Sequence, residues 1–378
     1  NQSIGDWNTS SVRNMSQMFM AATNFNQDIS SWDTSSVSDF GGTLFNTPLF
    51  NQNLSYWNVL NATDMLHMLS SSGLSNENKG LIHSSFSTNS AWTYDWSAFV
   101  VHPVKLTDSN FYYAINLWFE NEANATATYG HISDWNTSAV TNMSEAFYNR
   151  SSFNEDIGNW DTSRVENMEW MFAGATTFNK PIGNWDTSSV RNFDSIFYQA
   201  TNFNQPIGNW NTEKVTEMQW MFAGATAFNQ PIENWNTSSV TDMNSSFYIA
   251  SNFNQPLNNW DTSSVTNMAF MFYEAELFNQ SIGNWNTSNV IDMRSLFSGA
   301  SSFNRNIENW DTSKVIYMQE MFIGATNFDQ PIGNWDVSEV TSLNRTFLNA
   351  KSFNQDINDW DTSNVTDMNG TFWGALNF

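Results

Sequence analysis

Tryptophan recurs every 25 residues along this chain, and that period constrains the fold more than any other feature. The residues concerned are Trp7, Trp32 and Trp57, followed by Trp135, Trp160, Trp185, Trp210, Trp235, Trp260, Trp285, Trp310, Trp335 and Trp360. Units of this size cannot bury an apolar face alone, so they stack on their neighbours and share a core. The sequence therefore predicts a linear array of repeats.

One repeat, Trp160–Asn184, represents the others when its tryptophan is numbered position 1. Residues 161–163 carry side-chain oxygens that suit a helix N-terminus. Gly174 suits the end of that helix, and residues 178–182 are too few for another one, which predicts a short strand. Apolar side chains lie between these points at steps of three and four, the spacing of one helix face: Val165, Met168, Met171, Phe172 and Ala175.

The predicted fold class is therefore α/β, a solenoid of 25-residue repeats that each contain a helix and a short strand. Stacked strands lie about 4.8 Å apart and packed helices about 8–10 Å apart. That difference predicts a curved stack with the strands on its concave face. Proline at position 22 of several repeats, such as Pro181, has no N–H to donate, so strand pairing there is expected to be partial.

Asparagine occupies position 20 of almost every repeat, and the sequence allows two interpretations of this row. The first is a row of ligands for a partner, and the second is an internal ladder in which each side chain satisfies backbone groups of its neighbour. We predict the ladder, formed by Asn154, Asn179, Asn204, Asn229, Asn254, Asn279 and Asn304. Position 2 is either Asp or Asn, which favours a helix cap over a cation ligand because a hard cation requires the charge.

A second, weaker period of 50 residues affects positions 11 and 14. Position 11 is tryptophan at Trp170 and Trp220, each with a small residue at position 14, whereas the intervening repeats carry tyrosine at position 14: Tyr148, Tyr198 and Tyr248. Large side chains beside small ones favour interdigitation between neighbouring helices. The alternative is a stripe of aromatic side chains that binds a partner.

Composition excludes several functions. The chain has 13 basic and 37 acidic residues and a net charge of −24, which disfavours nucleic acids and anionic membranes. No apolar run is long enough to span a bilayer, so no membrane insertion is expected, and the absence of cysteine excludes disulfides and zinc–thiolate sites. Several Asn-x-Ser/Thr triplets are candidate N-glycosylation sites of an extracellular protein, at Asn53, Asn61, Asn124, Asn149, Asn244, Asn344 and Asn369.

The repeats are interrupted once. Residues 1–65 hold three repeats, and residues 66–101 are expected to close them with a helix from Ser75 to Phe86 and the aromatic residues Trp92, Tyr94 and Trp96. Residues 102–131 are expected to form a linker and a new opening cap with a helix that begins at Thr107. Residues 132–378 hold ten repeats. The four histidines, His67, His83, His102 and His131, lie in or beside these caps without metal-ligand spacing.

The repeat W-D-T-S-x-V-x-N-M-x-x-M-F-x-G-A-x-x-F-N-Q-x-I, represented by Trp210–Ile232 and Trp260–Ile282, resembles the BspA-like leucine-rich repeat of bacterial, mycoplasmal and protist surface proteins. The resemblance covers nearly the whole chain, including the two caps. It implies a right-handed, LRR-like α/β solenoid that is exposed on the cell surface and is often adhesive. It brings no catalytic motif, and we expect neither enzymatic activity nor a cofactor.

Two functions follow as expectations. The first is a structural segment of an extracellular filament, because Phe378 followed by Asn1 would restore the motif F-N-Q-S-I and so join copies, or tandem cassettes, head to tail. The expected end-to-end contact residues are Asn1, Ile4, Trp7, Phe372, Trp373 and Phe378. The second is a cell-surface adhesin that binds extracellular matrix protein or glycan on the concave face.

Overall fold

A computed structural model describes residues 2–100 and 104–378 of the chain. The chain divides into two compact units, Asn1–Val104 and Lys105–Phe378. The first unit contains three repeats and the segment expected to close them, and the second contains most of the expected opening cap and ten repeats. His102 and Asn1 lie outside the described residues.

Regular helices occur between the two arrays of repeats. They are α1 (Asn76–Phe86), α2 (Phe111–Glu120) and α3 (Glu122–Tyr129), with 3₁₀ turns at Ser97–Phe99 and Ile132–Asp134. The helix expected from Ser75 to Phe86 is confirmed, since Ser75 is its N-cap and accepts a hydrogen bond from the Asn78 N–H. The helix expected from Thr107 begins later, at Phe111.

The prediction of an α/β helix-plus-strand solenoid is wrong. Of the residues that the structure describes, only 9% are helical and 3% are strand-like, and they form no sheet. The reason is the backbone at positions 11 and 15, where φ is positive in repeat after repeat, as in Trp170 (+55°) and Gly174 (+72°). A left-handed residue every few positions prevents a right-handed helix from continuing.

Backbone hydrogen bonds in the repeats run between neighbours instead of along a helix. The N–H groups of Met168, Trp170 and Phe172 donate to carbonyls in the following repeat over 3.1, 2.9 and 2.9 Å. Residues between them close tight turns, for example from the Ala173 N–H to the Trp170 carbonyl at 3.1 Å. The left-handed residues Trp170 and Gly174 lie four positions apart, close to the 3.6 residues of a helical turn, and the repeat buries the same apolar positions that a helix would bury. We call this arrangement the turn ladder.

The short strand expected at residues 178–182 is also not formed, and the residues expected to cap helices form turns. Among the described residues, the strand-like pairings are isolated parallel bridges at position 8, such as Asn167↔Asn192. At position 2, Asp161 Oδ1 accepts from the Ser163 N–H at 3.0 Å, which is an Asx turn. The expectation of a curved stack relied on helices wider than strands, and it therefore loses its basis.

The core of each unit is built from columns of identical side chains. Trp185 and Trp210 stack with their ring centroids 6.3 Å apart, and Phe178 and Phe203 stack at 6.0 Å. The buried indole N–H of Trp185 donates to the Ile157 carbonyl at 3.1 Å. Identical residues therefore stack at 25-residue intervals, and their polar atoms are satisfied by the adjacent repeat.

The segments outside the repeats, residues 66–100 in the first unit and 105–131 in the second, contact the repeats of their own unit. In the first unit, Asn89 Nδ2 donates to the Val59 carbonyl at 2.6 Å, and Tyr94 packs on Trp96 at 4.7 Å. In the second unit, the Asp108 carboxylate accepts the Thr141 N–H at 2.7 Å, and the Tyr112 hydroxyl donates to the Ser144 carbonyl at 2.7 Å. Backbone groups of the adjoining repeats are thus satisfied by these segments.

Candidate functional site

A continuous series of aromatic rings lies along the turn ladder of the second unit. We call it the aromatic stripe, and its members occupy positions 11 and 14: Tyr148, Trp170, Tyr198, Trp220, Tyr248, Phe270 and Tyr273. From Tyr148 to Tyr248, consecutive ring centroids are 5.5–6.0 Å apart. Tyr248 then stacks on Tyr273 at 4.7 Å, and Tyr273 lies 6.2 Å from Phe270.

The stripe is at the surface because the turn ladder directs neighbouring positions in different directions. Met171 and Phe172 are buried in the core, whereas Trp170 just before them is only half-buried. Trp220 is 36% exposed and Tyr148 is 44% exposed. The rings are therefore outside the shared core, although each one covers part of the next.

Serine alternates with the large rings at position 11, and tyrosine rings at position 14 pack against those large rings: Tyr198 contacts Trp170 and Trp220, and Tyr248 contacts Trp220. Ser195 lies between Trp170 and Trp220, and Ser245 lies between Trp220 and Phe270. An open cleft of about 440 Å³ is lined by Trp220, Asn244, Tyr248, Asn267, Phe270 and the pair Asp292–Arg294. Its opposite walls are aromatic rings two repeats apart.

Positions 8 and 10 of these repeats carry carboxylate groups that accompany the rings. We call them the acidic row: Glu169, Asp194, Glu217, Asp242 and Asp292. Burial raises the pKa of Asp194, and the nearby charges of Glu169, Glu217 and Asp242 raise it further, although the Ser195 hydroxyl donates to this carboxylate at 2.8 Å and partly offsets the shift. The row therefore carries concentrated negative charge.

An ion pair lies near the Phe270 end of the stripe. Arg294 pairs with the buried Asp292, and its guanidinium lies 5.1 Å from the centre of the Tyr317 ring. The pairing with Asp292 raises the pKa of Arg294. The guanidinium is thus committed to local partners and compensates one charge of the acidic row.

The hydroxyls of Tyr248 and Tyr273, at one end of the stripe, remain protonated at neutral pH. Burial is the main cause of the raised pKa values of Tyr248 and Tyr273, and the charge of Glu274 adds to it in both cases. These hydroxyls can therefore both donate and accept hydrogen bonds. Together with the acidic row, they give the stripe polar groups beside its apolar ring faces.

The first unit has a cleft at the corresponding positions. It measures about 360 Å³, and its walls include Met20, Phe45, Leu66, His67 and the carboxylates of Asp39 and Asp64. Position 11 is Gly42 here, with φ of +62°. In the part of the chain that the structure describes, no three His, Cys, Asp or Glu side chains are arranged so that they could hold a metal ion, and this includes Asp39, Asp64 and His67.

The position-20 asparagines lie in one row and bond to one another. Asn154 Oδ1 accepts the Asn179 N–H at 2.9 Å, and Asn179 Oδ1 accepts the Asn204 N–H at 3.0 Å. The same contact links Asn204 to Asn229, Asn229 to Asn254, Asn254 to Asn279, and Asn279 to Asn304. Glutamine at position 21 adds a second donor, as Gln205 Nε2 does to Asn179 Oδ1 at 2.8 Å.

The residues expected at end-to-end contacts are divided between the two units. Trp7 is 56% exposed and stacks on Trp32 at 6.1 Å, while Ile4 packs against the first core. In the second unit Trp373 is 73% exposed, whereas Phe372 packs on the core and stacks on Phe378 at 4.1 Å. Asn1 lies outside the described residues.

The candidate glycosylation sites differ in exposure. Asn61, Asn124, Asn149 and Asn369 are exposed, and Asn53, Asn244 and Asn344 are half-buried. Two of them already use the amide nitrogen that would carry a glycan: Asn61 Nδ2 donates to the Ser35 carbonyl at 2.8 Å, and Asn344 Nδ2 donates to Asp367 at 2.9 Å. The most accessible amides are therefore those of Asn124, Asn149 and Asn369.

The stacked 25-residue units define this chain as a repeat protein. It belongs to the family described as "Mycoplasma protein of unknown function, DUF285", which matches residues 1–82, 114–232, 204–307 and 278–378. Neither the curated proteins nor the solved structures yielded a match to the chain. In the described residues, no helix has the length and apolarity needed to cross a membrane.

Proposed function

We propose that this chain is a non-enzymatic, cell-surface binding protein of the BspA-like type, an adhesin that holds an extended partner along its aromatic stripe. The observation that carries the proposal is the row of rings in contact from Tyr148 to Tyr273, through six consecutive repeats. Aromatic side chains that are partly exposed in a contiguous patch are typical of interaction surfaces.

The form of the stripe favours a long partner over a small molecule. Its rings follow the direction in which the repeats stack, and the cleft with Trp220 and Phe270 in its walls is open to solvent. A compact ligand favours an enclosed pocket, whereas a linear polymer gains contacts from every repeat that it crosses. The binding face is therefore proposed on positions 8, 10, 11 and 14, in place of the concave strand face expected from the sequence.

The proposal is tested by adhesion of the purified 378-residue chain to extracellular matrix and to host cells. Trp220→Ala removes the ring at the centre of the stripe, and Tyr113→Ala is the matched control because Tyr113 is an exposed aromatic residue outside the stripe. We expect Trp220→Ala to lose most of the binding and Tyr113→Ala to retain it. Equal binding by both variants would refute a role for the stripe.

Surface location needs its own measurement. Antibodies are expected to label the protein on intact cells of the source organism. Protease added to the same intact cells is expected to degrade it. If the protein is detected only after the cells are permeabilised, the proposal of an extracellular adhesin is wrong.

The filament remains a second proposal, and the turn ladder favours it. Each repeat donates the same N–H groups to the next repeat, as Met168 and Trp170 do, so an identical set of bonds would join two copies of the array. Such a contact is heterologous and propagates. Negative-stain microscopy should then show fibres, and sedimentation should show growth with concentration. A monodisperse monomer at all concentrations tested would refute it.

A further inference from the structure

The spacing of the large rings suggests which kind of polymer the stripe would hold. Trp170, Trp220 and Phe270 occupy position 11 in every second repeat, and Ser195 and Ser245 separate them. Hydrogen-bonded neighbours in a parallel ladder lie about 4.8 Å apart, so these rings recur at about 10 Å along the stack. A partner that uses all three rings needs an apolar face at the same interval.

An extended glycan with a disaccharide repeat meets this requirement. Two pyranose rings in an extended, equatorially linked chain span nearly the same length as two repeats of the stack. Each pyranose also has a face of C–H groups that packs on the electron-rich face of an aromatic ring. Alternate sugar rings would then lie on Trp170, Trp220 and Phe270, and the sugars between them would lie above Tyr198 and Tyr248, the tyrosines of the intervening repeats.

The acidic row supplies the polar half of such a site. Asp194, Asp242 and Glu217 are acceptors beside the rings, and sugar hydroxyl groups are donors that suit carboxylates. Their negative charge, within a chain of net charge −24, opposes sulfated or uronic acid polymers. A neutral glycan, or one with amino groups, therefore fits the charge.

Peptides fit less well. Side chains on one face of a β-strand recur at about 6.6–6.8 Å, which does not match the rings. A polyproline II helix recurs at about 9.3 Å, closer to the ring spacing, but its prolines lack the N–H donors that the acidic row would accept.

We propose that the aromatic stripe binds an extended, neutral or amino-bearing polysaccharide with a disaccharide repeat, one disaccharide for every two protein repeats. This inference rests on the proposed function, since it names the partner of the same surface.

The experiment is calorimetric titration of the full chain with β-1,4-linked glucose and glucosamine oligomers of two to eight sugars, heparin fragments and a proline-rich peptide. We expect affinity to rise in steps of two sugars, Trp220→Ala to weaken binding at least tenfold, and Trp220→Phe to recover much of it. Tyr113→Ala should bind as the unmodified chain does. Thermal unfolding of each variant establishes that it is folded.

Several outcomes would overturn the inference. They are an affinity that grows smoothly with each added sugar, a preference for heparin, and binding of the peptide but not of the sugars. If no oligosaccharide binds while Trp220→Ala still abolishes adhesion to matrix or cells, the glycan inference fails and the proposed adhesin function stands. If neither assay responds to Trp220→Ala, both fail.

Discussion

The turn ladder and a helix predict opposite orders of stability for the variants Glu145→Ala and Glu145→Gly. Glu145 is exposed, lies at position 11 of the first repeat of the second unit and has φ of +58°. Its N–H donates to the Glu169 carbonyl at 2.8 Å, a bond that both substitutions preserve. The comparison of Glu145→Ala with Glu145→Gly therefore isolates the backbone conformation, because the glutamate side chain is lost in both variants.

The expected magnitude follows from two opposing terms. An L-residue in the left-handed region costs about 1–2 kcal/mol, which glycine avoids. Glycine in turn loses more chain entropy on folding than alanine, by about 0.5–1 kcal/mol. The turn ladder therefore predicts that Glu145→Gly is the more stable variant by about 0.5–1 kcal/mol. In a helix interior the order would be reversed, with glycine about 1 kcal/mol less stable.

Urea unfolding of the two variants, followed by circular dichroism and tryptophan fluorescence, measures the difference. The pair Arg345→Ala and Arg345→Gly repeats the test far along the same unit, where φ is +52°. If alanine is the more stable residue at both positions, the left-handed backbone assigned to position 11 is wrong, and with it the explanation of why the repeats contain no helix.

Three further predictions concern single contacts and are checked by the same unfolding measurements. Asn204→Ala should lower the free energy of unfolding by about 1–3 kcal/mol, because the Asn229 N–H loses its acceptor. Asn204→Asp should be nearly neutral, because Asp329 already accepts the Asn354 N–H in the same way at 2.9 Å. Equal losses of stability in the two variants would contradict the asparagine ladder. Asp194→Asn should raise the Tm at pH 7, because the pKa of Asp194 is raised in the folded state and its ionisation therefore destabilises the fold. This increase in Tm should vanish as the pH falls below about 3.9, the pKa of an aspartate in the unfolded chain. An increase in Tm that is independent of pH would refute the charge argument. Thr237→Val should cost about 1–2 kcal/mol, since the fully buried Thr237 hydroxyl donates to the Asp261 carbonyl at 2.9 Å, and an unchanged stability would show that this bond contributes nothing.

The stacking of repeats was predictable from the sequence, but the backbone of the repeat was not. The 25-residue period and the apolar positions Val165, Met168 and Phe172 indicate which residues are buried, and all three are. The same steps of three and four suit a helix and a succession of tight turns, so periodicity cannot separate them. Non-glycine residues with positive φ, such as Trp170 and Ile249, leave no composition signal that would expose the difference.

The aromatic stripe was only partly visible in the sequence. The 50-residue period identified Trp170 and Trp220, but interdigitation between neighbouring helices was the favoured interpretation of it, and a binding stripe was only the alternative. Phe270 and Tyr273 were missed, although Phe270 continues the same period at position 11. Which of these rings face solvent depends on the direction that the turn ladder gives to position 11, and that direction is a property of the left-handed backbone.

Interdigitation and binding are compatible in the structure, and their combination explains why rings are suited to this surface. Trp220 lies between Tyr198 and Tyr248, at 6.0 and 5.5 Å, so its neighbours restrict its rotamers before any partner arrives. Ordering a free side chain on binding costs about 0.5–1.5 kcal/mol, and rings that fold already ordered avoid that cost. The contacts that pack the rings together in the absence of a partner are therefore the same contacts that would make the stripe an effective binding surface, at a spacing fixed by the backbone of the repeats.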